Sequence, residues 1–108
     1  MSDEPRALLM RPTDNVLTAL TRIPQGATVH WVKEGIDQTT TSRQIIPFGH
    51  KMSCVDIPEG DAIVKYGEPI GRATERILAG SHVHTQNVAS QRGRGDLAFQ
   101  PEPQKAGV

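Results

Sequence analysis

The strongest constraint on this chain is a phrase that recurs four times: Ile, two residues, Gly, two residues, then an apolar residue. It runs Ile23-Pro24-Gln25-Gly26 to Val29, Ile46-Pro47-Phe48-Gly49 to Met52, Ile57-Pro58-Glu59-Gly60 to Ile63, and Ile77-Leu78-Ala79-Gly80 to Val83. Three of the four place Pro directly after Ile, which presets φ for a turn. The Gly then supplies a positive φ that residues with a Cβ resist. Each phrase predicts a tight turn feeding a strand, with the Ile and the later apolar residue directed into one core and the tip in solvent. The spacing between phrases is too uneven for a solenoid, whose repeats hold a fixed period.

Eight prolines and ten glycines leave little room for long helices. The segment from Asp37 to Ile46 is long enough for one, but Thr39-Thr40-Thr41 is β-branched and Ser42 competes for backbone hydrogen bonds, which favours strand. Helix is expected only as one or two short turns, at Leu17–Thr21 and Ala73–Leu78. Strands are expected at Val16–Ala19, Thr28–Val32, Thr39–Ile45, Lys51–Val55, Ala62–Tyr66, Ile70–Ala73 and Ser81–Thr85. Short strands at close spacing predict a mostly β fold, a small barrel or a set of folded-over hairpins. Residues 1–12 read as an N-terminal arm, 13–90 as the domain, and 91–108 as a flexible tail without core-forming periodicity.

Composition narrows the function. The 12 Lys and Arg balance the 12 Asp and Glu, so no net field draws the chain to nucleic acid or to an anionic membrane. The longest uninterrupted apolar run, Ala7 to Met10, falls far short of the roughly 18 residues of a membrane span. The acidic opening Met1-Ser2-Asp3-Glu4-Pro5 is unlike a secretory signal, so the expected location is cytoplasmic. Cys54 is the single cysteine, which excludes an internal disulfide and reads as a small buried strand residue. Only 36% of residues are apolar, so a core this small is expected to lean on a partner and to self-associate without one.

The segment with the most chemical content is His82-Val83-His84-Thr85-Gln86-Asn87. On a strand, alternate residues share a face, so His82, His84 and Gln86 would project together while Val83 faces the core. Two imidazoles at that spacing can chelate one metal ion, although solvated histidines beside a turn share the same pattern. Gly49-His50-Lys51 puts a titratable ring and a cation at the mouth of a strand. Lys65-Tyr66-Gly67-Glu68 adds a second cation, a phenol and a carboxylate around a bend. Phosphate loops, nucleophile elbows and Cys/His zinc spacings are absent from the sequence.

Gly49-His50-Lys51, Asp56-Ile57-Pro58-Glu59-Gly60, Val64 through Ala73 and Gly80 through Asn87, preceded by Thr13-Asp14-Asn15-Val16, together resemble the amino-terminal SAF domain of the altronate and galactarate dehydratase family. The resemblance covers roughly residues 13 to 90. It implies a β-clip fold, in which hairpins fold over on themselves, and a small subunit that is inactive alone and works beside a larger catalytic lyase subunit. The implied reaction is dehydration of a sugar acid to a 2-keto-3-deoxy acid. A sulfolactate sulfo-lyase and a non-catalytic SAF binding module, as in sialic acid synthases or flagellar assembly proteins, are the alternatives. The implied cofactor is a divalent metal, Fe(II). Under this resemblance His82 and His84 are the metal ligands, His50, Lys51 and Tyr66 the catalytic groups, and Lys51, Lys65 and Asn87 the substrate-binding groups. Many family members have a third His where this chain has Gln86, so most metal ligands are expected from the partner.

Overall fold

The structure, a computed structural model, describes residues 4–90, 97–98 and 100–101. The strands are β1 (Ala7–Leu8), β2 (Val16–Ala19), β3 (Thr28–Lys33), β4 (Ile36–Thr41), β5 (Lys51–Ser53), β6 (Ala62–Lys65), β7 (Glu68–Ala73), β8 (His82–Val83), β9 (Val88–Ser90), β10 (Leu97–Ala98) and β11 (Gln100–Pro101). All the strand pairs are antiparallel. One sheet runs β1-β2-β5-β8, another β6-β7-β9, and β3-β4 and β10-β11 form two-stranded ladders.

The four Ile-x-x-Gly turns come in two pairs, and each pair is a reciprocal clasp. Ile23 and Ile46 exchange both backbone hydrogen bonds (2.9 and 2.8 Å), as do Ile57 and Ile77 (2.7 and 2.8 Å). Each turn glycine then donates its N–H to the carbonyl four residues before the partner Ile: Gly26 to Ser42, Gly49 to Ala19, Gly60 to Ala73 and Gly80 to Ser53. These glycines have φ between 81 and 92°, the left-handed region that only Gly enters without steric cost.

The clasps divide the chain into two equivalent repeats. In each, a strand (β2 or β5) leads to a first turn, a hairpin arm (β3–β4 or β6–β7) and a second turn, which delivers the next central strand (β5 or β8). The eight phrase residues are all buried, as expected. Ile23, Val29, Ile46 and Met52 belong to one core cluster, and Ile57, Ile63, Ile77 and Val83 to the other. Burying one such side chain contributes about 1.5–3 kcal/mol, so the same residues that set the turns also close the two cores.

Neither expected helical turn forms, and no helix occurs among the described residues. Leu17 to Ala19 lie in β2, which is paired on both sides by β1 and β5, and Ile77 is held extended by its bridge to Ile57. Tertiary pairing overrides the weak local preference. Within the stretch read as an arm, Ala7 and Leu8 pair with Ala19 and Thr18. β4 begins and ends earlier than expected. The Glu34-Gly35 turn (φ 51 and 81°) starts it at Ile36, and the regular ladder stops at Thr41 because the Ser42 hydroxyl, donating to Pro24 O, takes the Ala27 N–H, while Ser42 N–H still bonds to Ala27 O. The expectation of a flexible tail over 91–108 falls mostly outside the described residues. No helix among the described residues is long and apolar enough to cross a membrane.

Candidate metal centre

The second turn of each repeat ends at the same place. His50 N–H closes one turn on Pro47 O and Ser81 N–H closes the other on Leu78 O, both at 3.0 Å. The strands that follow pair with each other, Lys51 opposite Val83 and Met52 opposite His82. One step along the same register sets His50 across from His84, with ring centroids 4.4 Å apart. His82 lies 5.1 Å from His50 and 5.4 Å from His84 by centroid. The seam between the repeats thus gathers three half-buried imidazoles whose ligand nitrogens lie within 4.8 Å of one another.

The donor set fits a first-row divalent ion. His50 Nδ1 and His82 Nε2 are 2.9 Å apart, within hydrogen-bond distance of each other, and imidazole nitrogens are donors that suit ions such as iron and zinc. Burial, then the neighbouring His50, His84 and Lys51, lowers the pKa of His82. Desolvation, then His50 and Lys51, lowers that of His84. Both shifts favour the neutral imidazole, the form that ligates a metal.

A set of amides holds the histidine segment in place. His82 N–H donates to Gln44 Oε1 at 2.7 Å. Buried Asn87 donates from Nδ2 to His82 O at 2.9 Å and accepts from His84 N–H at 3.0 Å. Asn87, expected among the substrate-binding groups, therefore has its amide committed to the histidine backbone. It also ends β8 at Val83: the chain turns at His84, where Asn87 N–H bonds to His84 O at 3.1 Å. Gln86 consequently leaves the strand alternation that the sequence suggested, yet folds back so that Nε2 lies 3.2 Å from His82 Nδ1.

Beside the rings, a cleft of about 180 Å³ is lined by Lys51, Ile70, His84, Thr85, Val88 and Ser90. Burial, and then the charge of Lys65, lowers the pKa of Lys51, so the two lysines lie within electrostatic reach of each other. Tyr66 is placed differently. It occupies the tip of the β6–β7 arm at φ 57°, half-exposed, with Lys65 Nζ 5.5 Å from its ring centroid. Among the described residues no hydrogen bond or ring contact joins Tyr66 to the histidines. The expected set is therefore split, with His50, Lys51, His82 and His84 brought together, Lys65 alongside, and Tyr66 on an arm tip.

Sequence reasoning assigns no site role to Gln44 or to the buried Asp14, and reads Gln86 only as a residue in place of a ligand. The Asp14 carboxylate accepts N–H bonds from Arg11 (3.2 Å), Tyr66 (3.0 Å) and Gly67 (2.8 Å), and Asn15 binds Ala62 O and Val64 N–H beside it. The Asp14-Asn15 pair followed by a strand was the available signal, since such side chains often satisfy backbone donors in nearby turns. Arg11 is such a local partner, but the Tyr66 and Gly67 donors at the arm tip lie some fifty residues away.

An all-β module of antiparallel hairpins folded over and clasped on one another has the architecture of a β-clip domain. Residues 5–91 match the family model of the altronate/galactarate dehydratase SAF domain. The chain belongs to that family. It is 40% identical to altronate dehydratase of Escherichia coli (strain K12) over 82% of this chain and 17% of that protein. It is 40% identical to galactarate dehydratase (L-threo-forming) of the same organism over 65% of this chain and 11% of that protein. It is 38% identical to the (2R)-sulfolactate sulfo-lyase subunit alpha of Paracoccus pantotrophus over 52% of this chain and 84% of that subunit. The chain thus spans less than a fifth of the dehydratases it matches.

Proposed function

We propose that the chain is the small subunit of a metal-dependent hydro-lyase that dehydrates a sugar acid such as altronate or galactarate to a 2-keto-3-deoxy acid in the cytoplasm, beside a larger catalytic polypeptide. The observation that carries this reading is the convergence of His50, His82 and His84 next to the Lys51 cleft. These three residues would hold the ion, Fe(II) in this reading. Once bound, the metal supplies Lewis-acid polarisation of a substrate oxygen. His50 accordingly belongs with the ligands rather than with the acid–base groups.

In the reaction, a proton leaves the carbon next to the carboxylate and its electron pair forms a carbon–carbon double bond. The β-hydroxyl departs with a proton as water, and the enol product rearranges to the 2-keto acid. Lys51, with its lowered pKa, is the group of this chain suited to take that first proton, since its neutral amine is more populated than in an exposed lysine. Lys65 would pair with the substrate carboxylate. The remaining groups come from the partner. Phe48 supports a partner on this side: the tips of the other three clasp turns are Gln25, Glu59 and Ala79, whereas Phe48, two residues before His50, is 72% exposed. The domain's own fold gains little from that ring, which suits an interface anchor.

A related reading is a sulfo-lyase, in which sulfite rather than water leaves. It is favoured by the match over 84% of a sulfo-lyase subunit alpha. Co-expression with the large lyase polypeptide, loading with Fe(II) and assay on altronate, galactarate and (2R)-sulfolactate separates the two readings. The chain alone is expected to be inactive, and His84→Ala is expected to abolish turnover in the complex. Full activity after replacing all three histidines by Ala would reduce the domain to a structural role.

A further inference from the structure

Gln86 stands where the resemblance led to the expectation of a lost metal ligand, but its contacts give it a different task. Its Nε2 lies 3.2 Å from His82 Nδ1 and 3.4 Å from the His82 carbonyl oxygen. A carbonyl oxygen only accepts, so the amide turns its NH2 side to His82, and Nδ1 of that ring is then the acceptor. The ring proton of neutral His82 consequently sits on Nε2, pointing at His50 Nδ1 2.9 Å away. While that hydrogen bond lasts, neither His82 Nε2 nor His50 Nδ1 has a lone pair free to ligate an ion. An ion on His82 Nε2 requires the other tautomer, with the proton on Nδ1, and Nδ1–H then needs an acceptor. Gln86 can supply one by turning its amide through half a rotation to present Oε1.

We propose, resting on the metal reading above, that Gln86 is a positioning residue that sets the tautomer of His82. With its NH2 inward it holds the pair closed by the His82–His50 hydrogen bond, and with Oε1 inward it holds His82 open to an ion. The exchange moves one proton between the two nitrogens of His82 and leaves the protonation of the ring unchanged. Gln86 thus acts through His82 as an outer partner of the metal. Neighbouring amides support this division of labour: Asn87 and Gln44 fix the backbone of the segment, whereas the Gln86 side chain is exposed and able to turn.

The test uses the full chain labelled with 15N-histidine, and Zn(II) as a diamagnetic probe. In the metal-free wild type, 15N chemical shifts are expected to place the His82 proton on Nε2. Gln86→Glu, whose carboxylate only accepts, is expected to move it to Nδ1 and to tighten Zn(II) binding about tenfold. Gln86→Leu is expected to weaken binding by about tenfold, within the range typical of outer partners of ligating histidines. Gln86→Asn, a shorter amide, checks that reach matters and is expected to fall between wild type and Leu. Zn(II) uptake with the same His82 tautomer and affinity in the wild type, Glu and Leu forms overturns the role of Gln86. No Zn(II) uptake by the wild type overturns the metal reading itself.

Discussion

The two hairpin arms occupy the same place in their repeats and turn in the same way, yet one is bolted down and the other is not. Glu34-Gly35 and Tyr66-Gly67 both take left-handed φ values at successive positions, 51 and 81° and 57 and 75°. This is the turn that best matches the twist of a two-residue hairpin. At the β6–β7 tip, Asp14 captures both turn N–H groups, Asn15 binds the strand below it, and β9 pairs along β7. At the β3–β4 tip, residues 32–37 are all exposed. The bolted arm is the one that supplies Lys65 and Ile70 to the neighbourhood of the cleft, so local rigidity is invested where the site is built. Identical turns therefore do not imply equal stability; what distinguishes the arms is the side chains that reach them from elsewhere in the chain.

Forcing the repeats apart at Gly80 is expected to cost as much as emptying a core position. A Cβ on Gly80 would lie 2.1 Å from Thr41 O, at the root of the free arm, and its φ is already 92°. Gly80→Ala combines overpacking against backbone with left-handed strain, for a loss of at least about 3 kcal/mol. Gly49→Ala, at the equivalent clasp position but facing open space, is expected to lose only about 1–2 kcal/mol. Urea unfolding of both variants measures the gap, and equal losses would show that the repeats do not press on each other at Gly80.

Asp14→Ala removes the bolt itself. It strips acceptors from three backbone N–H groups, two of them at the arm tip, and is expected to cost about 2 kcal/mol. Amide exchange should quicken at Tyr66 and Gly67 and remain as it was at Glu34 and Gly35. If the four amides respond alike, the arms are not independent.

Much of this organisation was legible in the sequence, but only its local half. Gly and Pro at fixed offsets from Ile announce turns because φ preferences are local, and the apolar residue three positions after each Gly is buried for the same reason. The reciprocal Ile23–Ile46 and Ile57–Ile77 clasps join residues 23 and 20 positions apart, and nothing in local spacing chooses the partner. The histidine centre divides in the same way. His82 and His84 are neighbours by strand alternation, whereas His50 joins them through the register of β5 on β8, which spacing along the chain does not announce. Asn87 and Tyr66 were placed by resemblance. Their observed positions follow from a buried amide that closes a turn and from a hairpin tip whose donors belong to Asp14.

Acid should act on the seam rather than on either arm. His82 and His84 have pKa values lowered from 6.5 in the fold, so below that value the unfolded chain binds more protons on these groups than the folded chain does. Stability is then fully present above about pH 6.5 and declines as pH falls from there to the lowered values. Thermal unfolding of the metal-free chain between pH 8 and 5 is expected to show this decline, and His82→Gln with His84→Gln to flatten it. An unchanged slope in the double variant would assign the acid sensitivity to other groups.

The smallest effect is expected at the free tip, and it is the most direct check on the comparison. Val32 and Ile36 are 53% and 63% exposed and flank the Glu34-Gly35 turn. Substitution by Thr keeps the β-branched shape that suits a strand while removing little buried apolar area. The double variant Val32→Thr, Ile36→Thr should therefore change unfolding free energy by no more than about 0.5 kcal/mol. Deeper in the same arm, Trp31 is buried in the first core and its Nε1–H donates to Thr40 Oγ1 at 2.9 Å. Trp31→Ala should accordingly cost about 3–5 kcal/mol, which places the boundary between anchored root and free tip at a single residue step. A loss above 1 kcal/mol in the Thr double variant would mean that the tip contributes to the fold after all, and the contrast between the arms would then be one of degree.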